Sequence, residues 1–256
     1  LKNTINFDLK KFILVENFSV ISEGEIKYLD FKNNFYKYKK INKFTDHLND
    51  NFIIKKNKIL FKLDNNIVKL QSNGLININN KDEIFSTKIY YEKKNQSTFF
   101  DFKSKINSIN LKFNDLNYIK KINSPASFNI KGNLNNKNKL SFKEINFSEG
   151  KNSINVKNLK LNNFYQIQDI DELKIKTNNN NFINNDFYLK KDKKNILISG
   201  KVYDGNYFFK NIYKDKKKII ANSFEGHLKI NIDKILNKKK HNLYDLSASG
   251  DIKKGK

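Results

Sequence analysis

Apolar and polar residues alternate with a period of two along most of this chain, and that period belongs to the β-strand. Phe128, Ile130, Gly132 and Leu134 stand between polar neighbours. Leu140 and Phe142 keep the pattern; the phase then slips by one before Ile145 and Phe147, as a β-bulge or a short turn would cause. Ile154 with Val156, Leu173 with Ile175, and Phe187 with Leu189 follow. Ile196, Ile198, Gly200 and Val202 come next, then Leu228, Ile230 and Ile232, and finally Leu246, Ala248, Gly250 and Ile252. In the first half, residues 59–63, 75–79, 84–91 and 99–113 read as strands in the same way.

Asn-rich breaks separate these runs: 64–66, 79–82, 133–138 and 178–181. Asn tolerates left-handed backbone, so it can make turns where glycine is scarce. Strands recurring every 8 to 15 residues or so suit an antiparallel meander. Alternation leaves one face apolar and the other wet. Two short stretches read as helical: a turn from Gly205 to Tyr213 capped by Asp204, and the weaker 43–51. The expected fold is therefore all-β. It is an elongated, curved antiparallel sheet with an apolar concave face and few short helices. A one-sided sheet must bury that face on something. Too few helices exist to do it, so a β-sandwich, the architecture of a structural or adhesin-like interaction module, is the rival.

Composition narrows the function. The chain has 22 Phe and 12 Tyr, an aromatic load that argues against disorder. Its net charge of +24 invites a nucleic-acid reading. All 50 basic residues are Lys, however, and a sequence-specific reader without Arg lacks the fork that grips guanine and phosphate. Only nonspecific, Lys-based phosphate binding remains open. Abundant Lys, Asn, Ile and Phe point to an A/T-rich genome, with Lys as the default solvated residue. With no cysteine, disulfides, thiolate metal sites and a Cys nucleophile are excluded. No apolar run approaches the length that spans a bilayer as a helix, and there is no Met anywhere, so the chain reads as a slice of a longer protein.

No constellation carries catalysis. His47, His227 and His241 show no ligand spacing. Asp169, Asp171 and Glu172 are dense in carboxylate but lack the loop pattern of a calcium site, so they read as a wet face. No nucleophile elbow, P-loop or dinucleotide fingerprint appears among nine scattered glycines. Neither an enzyme, a metal nor a cofactor is expected. The aromatic clusters Tyr90-Tyr91, Phe99 and Phe100 with Phe102, and Tyr207-Phe208-Phe209 read as sheet packing, because most keep strand phase with Ile and Leu.

From Ser124 onward the order of features is familiar. Ser124-Pro-Ala-Ser-Phe-Asn-Ile-Lys-Gly132 matches a strand entry P-A-x-F-x-(apolar)-x-G. Ile196-Leu-Ile-Ser-Gly-Lys-Val-Tyr-Asp-Gly205 matches an (apolar)-x-G-x-(apolar)-x-D-(small) ending with an amphipathic turn behind it. His227 to Ile235 and Leu243 to Gly250 look like the next unit. This run resembles the AsmA-like bridge proteins of bacterial envelopes, of the YhdP and TamB type, although Asn and Lys replace much of the family's Gly and Arg.

The resemblance implies two parts, a β-rich 1–123 and an AsmA-like groove segment 124–256. It also implies a function: phospholipid acyl chains held in an apolar groove between the inner and outer membranes. That places the chain in the periplasm, in a protein attached to the inner membrane by an anchor outside this slice. The expected lipid-binding residues are Phe128, Ile130, Leu134, Phe142, Ile154, Val156, Leu173, Ile175, Phe187, Leu189, Ile196, Ile198, Leu228, Ile230 and Ile232. Which parity of each strand faces the groove is not readable from the sequence.

Overall fold

The computed structural model describes residues 2–10, 14–32, 51–137, 139–162, 166–179, 182–211, 225–237 and 241–252. The alternating runs form strands. The first half gives β1 (Lys2–Lys10), β2 (Leu14–Lys32), β3 (Asn51–Asp64), β4 (Ile67–Ile78), β5 (Lys81–Glu92) and β6 (Ser97–Lys105). The short β7 (Leu111–Phe113) and β8 (Tyr118–Lys120) follow, and then β9 (Ser127–Leu134), β10 (Leu140–Glu149) and β11 (Asn152–Leu161). After β12 (Ile167–Asp169) come β13 (Glu172–Asn179), β14 (Phe182–Asp192) and β15 (Asn195–Asp204). The helix α1 (Asn206–Asn211) leads to β16 (Gly226–Leu236) and β17 (Leu243–Ile252).

All but β7 and β8 join one large sheet that is curved and not closed. Fourteen strands lie side by side in chain order, interrupted only by the β7–β8 pair and by β12, which pairs with β11 alone. At about 4.8 Å per strand, the sheet extends over roughly 60 Å along its hydrogen-bond direction. It runs without a break across Pro125, because β6 pairs with β9 from Thr98–Leu134 to Lys105–Ser127.

One pair departs from the antiparallel meander: β15 and β16 are parallel. Parallel neighbours need a crossover that returns the chain to the starting end. The stretch holding α1 supplies it. Asp204 Oδ1 accepts from the Asn206 backbone N–H at 3.2 Å, so the expected cap is present, and the helix begins one residue later than the pattern suggests. The far end of that stretch, at Ile212 and Tyr213, lies outside the described residues. So do residues 43–50 of the second helical stretch, His47 among them, while Asn51 opens β3. The phase slip in β10 is a register shift between Phe142 and Glu144 against β9.

Asparagine makes the turns. Asn79 and Asn80 both have positive φ, 52° and 63°, and join β4 to β5 with Ile78 opposite Lys81. That is the backbone of a two-residue hairpin whose twist suits the strands. Asp64 Oδ1 accepts from the N–H groups of Asn66 (3.1 Å) and Ile67 (2.7 Å), and Asn135 Oδ1 accepts from those of Lys137 and Lys139 at 3.0 Å each. Asn80→Ala is expected to cost about 1 kcal/mol, because left-handed backbone is strained for alanine, while Asn80→Gly is neutral or stabilising. Urea midpoints of the two variants check this; equal losses would contradict it.

Candidate functional site

Residues directly opposite each other on paired strands share a face. Following the register across the sheet therefore settles the parity. One row runs Phe102, Ile130, Ile145, Val156, Leu173, Leu189, Ile198, Ile230 over eight consecutive strands and reaches Ala248 on a ninth. The next row runs Phe128, Phe147, Ile154, Ile175, Phe187, with Gly200 and Ile232 beyond. Phe142 lies opposite Gly132, Leu134 opposite Leu140, and Ile196 opposite Leu228. All fifteen residues expected to bind lipid thus project from one face.

Part of that face is covered by the chain itself. Between β6 and β9, residues 106–126 leave the sheet and fold back over it as a strap carrying β7, a 3-10 turn and β8. The strap buries Ile106, Tyr118 and Ala126 against Phe147, Ile154 and Ile175. Phe128, Val156, Leu173 and Phe187 pack around this core. Six of the fifteen residues therefore already have a protein partner. The remaining nine lie outside that cluster, and of these Ile196 and Ile232 are nonetheless buried.

Polar ties hold the strap at one end of the strands. Glu83 of β5 accepts from the Ser108 N–H at 2.5 Å, and the Tyr118 hydroxyl donates to Glu149 of β10. Asn185 of β14 donates to Leu116 O at 2.7 Å, and Asn117 donates to Asp204 of β15 at 2.8 Å. Inside the strap, the Lys120 ammonium donates to the carbonyls of Asn107 (3.1 Å), Ile109 (2.7 Å) and Lys121 (3.0 Å). Burial lowers the Lys120 pKa, and nearby Glu149 and Glu83 partly oppose that shift. Burial and Glu149 push the Tyr118 hydroxyl far above its ordinary range.

Away from the strap, the face carries Ile130, Leu134, Phe142, Leu189, Ile198, Leu228 and Ile230, half-buried except for Leu134, which is 38% exposed. Phe100 and Phe142 meet edge-to-face at 6.1 Å across the strand between them. Gly132 on that strand makes room, since a Cβ there would sit 2.7 Å from the Phe100 ring. The floor beside Gly132 is thus apolar. No family model, curated protein or solved structure matches this chain.

The opposite face is ionic. Lys88, Asp101, Lys131, Glu144, Lys157, Glu172 and Lys190 lie successively opposite one another on seven adjacent strands, alternating in sign. Lys131–Glu144 and Lys157–Glu172 close to 3.2 Å. Tyr90 and Phe99 stand on this face too, with the Lys69 ammonium 5.6 Å from the Tyr90 ring. The carboxylates at 169–172 do not gather around a common point: Asp169 pairs with Lys160 and Lys191, Asp171 accepts from Asn158, and Glu172 takes Lys157 and Lys174.

Donation from Asn146 and then Lys131 lowers the Glu144 pKa below its ordinary 4.5. A carboxylate lowered in the folded state stabilises above its unfolded pKa, and that contribution is lost as pH falls through the folded value. Glu144→Gln is therefore expected to cost about 0.5 kcal/mol at pH 7 and almost nothing near pH 3. Urea titrations at both pH values check it, and an equal cost at both would contradict it.

The strap is hidden in the sequence, where the strand pattern carries from Phe99 through to Phe113, whereas β6 ends at Lys105. Lys120 gives no signal in a lysine-rich chain. Glu83 gives one: it keeps phase with Phe85, on the face where charge does not belong.

Proposed function

We propose that the uncovered part of the apolar face holds phospholipid acyl chains, and that this chain is a segment of a bacterial envelope bridge protein carrying lipid between the inner and outer membranes. The row from Phe102 to Ile230, on which the strap packs at Val156 and Leu173 and which lies outside the strap-covered cluster on either side, is the observation that carries this reading. Eight strands cover roughly 34 Å. An acyl chain fills about half of a hydrocarbon core some 30 Å thick, so the row is longer than one tail. Each methylene withdrawn from water contributes about 0.8 kcal/mol, so partial enclosure on a curved face is favourable.

The β-sandwich rival needs a second large sheet to cover this face. Among the described secondary-structure elements, only the β7–β8 pair with its 3-10 turn and α1 lie outside the large sheet. The lysine content does not by itself favour nucleic acid, because in the row from Lys88 to Lys190 on the ionic face lysines alternate with carboxylates.

A photo-crosslinking side chain at Ile198 tests the reading against the same group at Lys174 on the opposite face. Expressed in a bacterial envelope, the chain should acquire a lipid-sized adduct at position 198 and none at 174. Adducts at neither position, or equally at both, would contradict it.

A further inference from the structure

We infer that the groove is one-sided and selects lipids with an anionic headgroup, held at a lysine-tipped rim; this rests on the acyl-chain reading above. The strap ties all fall at one end of the strands. Glu83 opens β5, Glu149 closes β10, Asn185 lies near the start of β14, and Asp204 closes β15. That end is walled by residues 106–126 and backed by buried carboxylates, Glu83 and Asp204 among them. A headgroup there would meet the strap and these carboxylates, although Lys81, Lys105, Lys121 and Lys151 are exposed at that end as well.

The opposite ends of these strands form the other rim, and lysines tip it. Lys93 and Lys94 stand in the β5–β6 turn, Lys137 and Lys139 between β9 and β10, and Lys193 and Lys194 between β14 and β15. All six are exposed. The row nearest these turns is Tyr91, Thr98, Leu134 and Leu140, which includes the exposed Leu134.

Carboxylates at this rim are largely engaged. Asp64 accepts from turn N–H groups, Glu92 accepts from Asn95 at 2.6 Å, and Glu225 sits 3.6 Å from Lys194; Asp169 pairs with Lys160 and Lys191, Asp171 accepts from Asn158, Glu172 pairs with Lys157 and Lys174, and Asp192 also lies here. A tail lying on the floor would therefore place its headgroup at the rim whose exposed charge is mainly positive. Lysine suits this task as a compact point charge for phosphate.

The test compares dioleoyl phosphatidylglycerol with dioleoyl phosphatidylcholine, which share tails, in competitive native mass spectrometry of the whole delipidated chain. Phosphatidylglycerol should be preferred by about tenfold or more at low salt, and added salt should erode the preference. In the variant with Lys93, Lys94, Lys137, Lys139, Lys193 and Lys194 changed to Gln, the preference should fall to within about twofold. A wild type that binds both lipids alike and a variant that keeps the preference each overturn the rim assignment while leaving the groove standing. Binding of neither lipid overturns both. Displacement of phosphatidylglycerol by excess inorganic phosphate would reveal a free-anion site and overturn the headgroup assignment.

Discussion

Phe147→Ala is expected to lower the unfolding free energy by about 4 kcal/mol, near the upper end of what truncating one buried aromatic costs. Phe147 is 2% exposed and sits where the strap meets the sheet. Its ring lies 5.6 Å from that of Phe113 and 6.1 Å from that of Tyr118, both on the strap. Phe128 and Ile154 flank it across the neighbouring strands. Truncation opens a void between two layers that are each only one element thick, so little can collapse to fill it. Phe99→Ala is the control: at 42% exposed on the ionic face it should cost less than about 1 kcal/mol. Urea unfolding of the two variants checks the contrast. Similar small losses would mean that the strap does not pack on the sheet.

Lys120→Met is expected to cost about 3 kcal/mol, although methionine nearly conserves volume. Lys120 is fully buried, and all three ammonium protons are donated to strap carbonyls. Those carbonyls join the strap's entry, at Asn107 and Ile109, to its exit at Lys121. Removing the ammonium leaves them without that donor and loosens the closure.

The same residue gives the stability a pH signature. Its folded pKa is below the ordinary 10.5, so over the window beneath 10.5 the unfolded chain binds the proton that the folded chain has released. Stability from this group therefore rises with pH across that window, and the rise should vanish in Lys120→Met. Tyr118 acts in the opposite direction above pH 10, since its raised pKa keeps it neutral in the folded state while the unfolded phenol ionises. A pH–stability profile identical in wild type and Lys120→Met would contradict the assignment.

Strand content and most strand positions were legible because period two survives even where Asn and Lys replace every other cue. Ile196 to Val202 and Leu228 to Ile232 are strands as the alternation demands. The bulge before Ile145 could be read from the slip alone. Face assignment was not legible, because alternation fixes that Ile130 and Ile198 each lie on one face but not that it is the same face. Register does that, and register depends on turn length and bulges. The strap escaped because Leu111 and Phe113 alternate as a strand does, although one residue out of phase with Phe100 and Phe102. Apolar residues that leave a sheet to cover it follow the same pattern as those that remain. The parallel step at β15–β16 likewise has no mark in the alternation; only the helical turn after Asp204 hints at a crossover.

The most direct test of the groove is native mass spectrometry of the purified chain beside lipid extraction, for wild type and for Ile130→Asp with Ile198→Asp. Both residues lie in the row outside the strap-covered core, so the charges should spoil the floor without emptying that core. Co-purified phospholipid on the wild type, lost in the folded variant, is the expected result. A wild-type chain that carries no lipid, with a cooperative and compact fold, would contradict the lipid groove and leave a structural module in its place.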